Sequence, residues 1–233
     1  MDNRILHKDS QKRILRLFPY LKNKGKINKL MIDDDSISYI SIREVAKETT
    51  SLIIDHLRAF GIDPNEAVIT DTTAGVGGNT ISFAMNFKHV NAIEIDKLRI
   101  DYLKNNCNVY DLENISYYST DCTEILGNLQ HNIVFFDPPW GGKDYKRFPK
   151  LTLSLANIPI EILCNKLFDE KMEKNPEIVI FKIPKNYDLD YMIKSLTSKS
   201  IYLCELRKMN IVIVHNEKLK QLYLEKQIEK TSK

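Results

Sequence analysis

Residues Ala67-Val68-Ile69-Thr70-Asp71-Thr72-Thr73-Ala74-Gly75-Val76-Gly77-Gly78-Asn79 begin as an apolar run, reach an acid, and pass through three glycines toward a helical pattern. Glycines so placed let the backbone turn sharply and approach a ligand with no side chain between. The loop is not a dinucleotide loop, because Thr80 stands where the last glycine of GxGxxG belongs, and no Gly-Lys-Ser/Thr follows it. A pyrophosphate is therefore not the expected guest of this cofactor loop.

Outward from that loop, short β-rich runs alternate with helical patterns. Strands are predicted at Ala67–Thr72, His89–Ile95, Ile115–Ser119, Ile133–Phe136, Ile178–Ile183, Ser200–Glu205 and Ile211–His215. Helices are predicted at Asn79–Phe87, Lys97–Tyr110, Thr123–Leu129, Ile158–Asp169 and Leu189–Ser198. This alternation predicts a doubly wound α/β domain, a mostly parallel seven-stranded sheet with helices on both faces. Ligands of such sheets bind in the loops after the strands.

The first sixty residues read as a helical extension. Apolar or small residues from Ile42 to Phe60 recur at helical spacing, Ser41 and Glu44 have the spacing of a capping box, and Gly61 with Asp63-Pro64 ends the helix. Ile14, Leu15, Leu17, Phe18 and Leu21 predict a shorter helix, and Asn23 to Asp35 a polar connection. The expected organisation is a basic helical extension over 1–60, a catalytic domain over 61–216 and a charged tail over 217–233.

The totals set bounds. A chain of 233 residues with 43% hydrophobic and 28% charged residues is globular, and no apolar run approaches the roughly 20 residues of a membrane span. The four cysteines are scattered, which indicates neither zinc nor a disulfide framework. The expected setting is inside a cell, without membrane attachment. Net charge is only +3, yet the first thirty residues carry nine basic side chains against two acids. A basic end suits a polyanionic partner or a plain solvated surface.

Acids stand at the ends of the first three predicted strands. Asp71 ends the first, Glu94 closes the second nineteen positions after Gly75, and Asp121 follows the third. Glu94 can accept from both hydroxyls of a ribose and Asp121 from the amine of an adenine. The alternative is that such acids cap the next helix, as Asp96 and Asp121 can. Taken in order, the acids describe a nucleoside held without phosphate, and S-adenosylmethionine fits, since its cationic sulfonium and amine suit Asp71. Its expected contacts are Asp71, Thr73, Gly75, Gly77, Asn79, Glu94, Asp121 and Cys122.

The fourth predicted strand runs into Asp137-Pro138-Pro139-Trp140-Gly141-Gly142, which contains the single tryptophan. Acid-Pro-Pro-aromatic at this place suits methylation of an amine conjugated to a ring. Such an amine is a poor nucleophile until acceptors hold its hydrogens and turn its lone pair toward the methyl group. Asp137 and the Pro138 carbonyl are the candidate acceptors, the prolines stiffen the loop, and Trp140 can stack on the base.

Gly75-Val76-Gly77-Gly78-Asn79-Thr80-Ile81 together with Pro138-Pro139-Trp140-Gly141-Gly142-Lys143-Asp144-Tyr145 resembles the trimethylguanosine synthases, which methylate N2 of 7-methylguanosine caps on RNA. The likeness runs from about Phe18 to His215. It implies a Rossmann-like class I methyltransferase fold, S-adenosylmethionine as donor, capped RNA as partner, Trp140 as the platform under the methylated guanine, and Ser41 near the donor. Lys143, Lys146 and Arg147, with Arg13, Arg16 or Lys8, are candidates for the cap triphosphate. Many members have Ser in place of Asp137, Glu94 stands for a more usual Asp, and the segment around Ser41 lacks an expected proline. The chain is expected to act as a monomer in nucleus or cytoplasm. Its wealth of Lys, Asn and Ile suits an AT-rich genome such as that of a protist or large DNA virus. Two competing readings are another nucleic-acid amino-methyltransferase, acting on guanine N2 or adenine N6, and a cap-binding protein without catalysis.

Overall fold

The alternation of apolar runs and helical stretches takes shape in a computed structural model that describes residues 8–169, 172, 174–198, 200–219 and 221, in two units, Met1–Cys122 and Thr123–Lys233. Most of the charged tail from Glu217 onward lies outside the described residues.

In the first unit, α1 (Lys8–Leu17) precedes a 3-10 turn (Lys24–Lys29), α2 (Ser36–Tyr39) and α3 (Arg43–Ala59). Helix α3 buries Ala46, Thr49, Ile53 and Leu57 of the predicted face, and Thr50 beside them, while Val45, Leu52 and Phe60 of that face are only half-buried. Its start corrects one expectation. Ile42, not Ser41, is the N-cap residue, and no side chain caps the helix. The reason is packing: Ser41 is buried, and its carbonyl lies so close to Gly78 that a Cβ added there would be 2.7 Å from it. That contact leaves Ser41 one residue outside the capping position. The polar connection is also more than a linker, since Ile27 and Leu30 are buried in it.

Strands β1 (Val68–Asp71), β2 (His89–Ile93) and β3 (Ile115–Tyr118) pair in parallel in the order β3-β2-β1. Helix α4 (Gly78–Ala84) follows β1 and is buried at all seven positions, which fits its small and apolar composition. Helix α5 (Lys97–Val109) follows β2, and the short α6 (Cys122–Ile125) follows β3.

In the second unit, β4 (Ile133–Phe136) leads to a two-stranded hairpin of β5 (Ser154–Leu155) and β6 (Ile158–Pro159), then α7 (Ile160–Leu167), β7 (Ile178–Pro184), α8 (Leu189–Ser195), β8 (Ile201–Glu205) and β9 (Met209–His215). The order here is β4-β7-β9-β8, with β4 parallel to β7, and β9 antiparallel to both β7 and β8. The hairpin takes Ile158 and Pro159 from the predicted helix, which starts at Ile160. The predicted helix over 123–129 shrinks to α6 and a 3-10 turn at Leu126–Asn128. Leaving the hairpin aside, the seven strands belong to a mostly parallel sheet, as expected. Among the described residues no helix is long and apolar enough to cross a membrane.

Candidate active site

In the first unit the loop after β1 is braced at both ends. Asp71 is fully buried, and its Oδ2 accepts from Thr80 Oγ1 of α4 at 2.7 Å, tying the strand end to the helix beyond the loop. Between them Gly75 and Gly77 have φ of +53° and +109°, where glycine is favoured. A Cβ at Gly77 would stand 2.9 Å from Leu103 Cδ1, whereas a Cβ at Gly75 would meet nothing within 4 Å, so that backbone faces open space.

Glu94, just past β2, serves this loop. Its Oε2 accepts from Gly75 N at 2.8 Å and its Oε1 from Asp96 N at 2.9 Å. Each carboxylate oxygen has a second lone pair for a further donor. Asp96 caps α5 through Leu98 N and Arg99 N, the role left open for it. Asp121 is half-buried before α6, Cys122 and Asn79 are buried, and Thr73 is half-buried. Cys107 and Cys164 are packing residues: burial pushes the Cys107 thiol up to about 12 and the Cys164 thiol well above its usual range, which removes the thiolate a nucleophile needs.

Asn106 was not singled out from the sequence. This fully buried residue of α5 donates from Nδ2 to the carbonyls of Val76 in the loop and Met31 in the N-terminal segment, each at 2.8 Å, while its Oδ1 accepts from Met31 N at 2.8 Å. One amide thus clamps the segment to the glycine loop. Nearby, Arg99 donates to Tyr39 Oη at 2.8 Å and lies 3.6 Å from Asp33. An amide on the helix face that also carries Leu103 and Cys107 was the available signal.

In the second unit the Pro-Pro-Trp loop leaves β4. Asp137 is half-buried, and its Oδ2 accepts from Lys182 Nζ of β7 at 2.5 Å. Pro138 is buried, and Gly141 and Gly142, at φ +91° and +70°, turn the chain into a 3-10 helix at Gly142–Arg147. The half-buried Trp140 ring meets Tyr145 edge-on, with centroids 5.3 Å apart, and Lys182 Nζ is 5.5 Å from its centre. Trp140 Nε1 is buried with no hydrogen-bond partner among the described residues. A buried donor without an acceptor costs about 1–3 kcal/mol, which an acceptor arriving with a ligand would offset. Asn186, past β7, holds the loop by donating to the carbonyls of Tyr145 and Phe148.

Of the cationic candidates, Lys146 and Arg147 are exposed in the 3-10 turn of the second unit, and Arg147 is 3.1 Å from Asp144. Arg13 and Arg16 are exposed on α1 of the first unit. The side chains of Lys8 and Lys143 lie outside the description.

A parallel sheet with a glycine loop after its first strand and a Pro-Pro-Trp loop after its fourth defines a class I methyltransferase. The 16S rRNA N2 methyltransferase RsmC of Thermus thermophilus, solved with AdoMet and guanosine, shares this fold with a TM-score of 0.55 at 14% identity, over 79% of this chain and 43% of that one. The family model described as RNA cap guanine-N2 methyltransferase matches residues 66–227, and the chain belongs to that family. It is 38% identical to an uncharacterised protein of Acanthamoeba polyphaga mimivirus over 85% of this chain and 83% of the other. It is 28% identical to the trimethylguanosine synthase of Saccharomyces cerevisiae over 77% of this chain, and spans 58% of that protein's length.

Proposed function

We propose that the protein transfers a methyl group from S-adenosylmethionine to the exocyclic N2 of a 7-methylguanosine cap on RNA. The observation that carries this reading is Trp140, a half-buried indole three residues after Asp137 whose N–H has no acceptor among the described residues. A 7-methylated guanine is cationic, and a cation over an indole gains about 0.5–2 kcal/mol. Stacking there would select the methylated cap over an unmethylated one.

The first unit's residues fit the donor. Gly75 leaves space for close approach, Glu94 is a fixed acceptor for ribose hydroxyls, and no lysine of a phosphate loop is present. Asp71, Asp121, Thr73, Gly77, Asn79 and Cys122 complete the expected contacts, with Ser41 against the loop at Gly78. When bound, S-adenosylmethionine supplies an electrophilic methyl group on a positively charged sulfur. Asp137 and the Pro138 carbonyl accept the amine hydrogens and turn the nitrogen lone pair outward. After transfer the methylated nitrogen is strongly acidic and loses its proton to Asp137 or to water. The candidates for the triphosphate are the cations that follow Pro-Pro-Trp in sequence, Lys143, Lys146 and Arg147, and separately Arg13 and Arg16 of α1. We place this work, by a monomer, in the nucleus or cytoplasm of a cell.

Incubation with the donor and either m7GpppG or GpppG tests the reading, with methyl transfer expected to the first alone. Equal rates on the two would overturn cap specificity, and transfer to uncapped RNA instead would make the protein another nucleic-acid amino-methyltransferase. As the single tryptophan, Trp140 should also report cap binding by a change in fluorescence, lost in Trp140→Phe.

A further inference from the structure

Lys182 is the one charged residue of Ile178–Pro184, a strand buried at every position, and is itself 4% exposed. An ammonium so buried costs several kcal/mol unless it is paired. Its partner is Asp137, 2.5 Å away, and the two side chains are only 6% and 13% exposed. Strand register explains the meeting. Phe136 of β4 pairs with Phe181 of β7, so the next residues, Asp137 and Lys182, lie side by side. The orientation of the acid is thereby set by the sheet and not by the loop alone. Lys182 Nζ also lies 5.5 Å from the centre of the Trp140 ring, so one ammonium touches both the acid and the base platform.

We propose that Lys182 is a positioning residue for the acceptor amine, an inference that rests on the cap-methyltransferase reading. It holds the Asp137 carboxylate in one orientation and balances its charge, so the amine meets a fixed acid. A second consequence follows from its seat near the indole. A resident ammonium repels a cationic guanine, so removing it does not weaken cap binding through charge. The two effects fall on different kinetic constants, transition-state positioning on kcat and ground-state charge on KM.

Steady-state kinetics with m7GpppG on the full chain, for wild type, Lys182→Met, Asp137→Asn and the double variant, tests this. Lys182→Met should lower kcat at least tenfold with KM unchanged or lower. In the Asp137→Asn background the same change should alter kcat less than twofold, because the residue acts through the acid. The double variant buries no unpaired charge, so where Lys182→Met alone does not fold, comparison of Asp137→Asn with the double variant decides. A further tenfold loss in that comparison, or a Lys182→Met enzyme with tenfold higher KM at unchanged kcat, overturns the inference alone. A wild type that methylates no cap overturns the functional reading, and this inference with it.

Discussion

Glu94 holds the amide of Gly75 at 2.8 Å while its other oxygen takes the amide of Asp96 at 2.9 Å. One carboxylate therefore sets the loop and is the acceptor we propose for the ribose. Glu94→Ala removes both functions and should weaken S-adenosylhomocysteine binding by about ten- to a hundredfold, from charged hydrogen bonds of about 1.5–3 kcal/mol. Calorimetry on a folded variant measures this, and an unchanged Kd would remove Glu94 from the donor site.

Gly78→Ala reverses the usual sign of a helical substitution. Alanine is ordinarily favoured over glycine in helices by about 1 kcal/mol. Here the new Cβ would lie 2.7 Å from the Ser41 carbonyl and 2.8 Å from Ile40 Cγ1. The overpacking should cost about 1–3 kcal/mol, seen as a lower urea midpoint. A more stable variant would show that the contact yields freely.

Asn106→Asp keeps shape and replaces a donor with an anion. The new oxygen would face the carbonyls of Val76 and Met31, which now receive Nδ2 hydrogens. Two broken bonds and a buried charge predict a loss of at least about 3 kcal/mol in chemical denaturation, together with weaker donor binding because the loop is released. Wild-type donor affinity in a destabilised variant would confine the clamp to folding.

Burial lowers the pKa of His131 from 6.5 to about 4, and burial does the same to His56. Between those values the unfolded chain binds a proton that the folded chain does not, so stability is full above pH 6.5 and falls as pH drops toward 4. His131 alone should cost about 2 kcal/mol on going from pH 7 to pH 5. Urea melts at the two pH values should show the drop, and His131→Gln should shrink it. An equal drop in the variant would assign the effect elsewhere.

Both candidate loops, one in each unit, were legible because each is a local pattern. An apolar strand, an acid and glycines, or an apolar strand and Asp137-Pro138-Pro139-Trp140, occupy a dozen residues or fewer and carry their own turn chemistry. Ser41 was misread as a helix cap because capping depends on a single-residue register, and the approach of Ser41 to Gly78 sets that register. Asn106 and Lys182 escaped notice because each gains its role from a distant partner, Met31 at 75 residues and Asp137 at 45. A lone Asn on a helix or Lys in a strand has no meaning until the partner is known.

The sequence by itself determined the fold class, the order of strands and helices, and the acids and glycines at the strand ends, because periodicity and turn residues act over a few neighbours. Tertiary structure alone decided that Asp137 is a charge-paired acid and that Asn106 binds the N-terminal segment to the glycine loop. Hydrogen bonds and ion pairs form wherever folding brings buried polar groups together, and burial makes leaving them unmade costly.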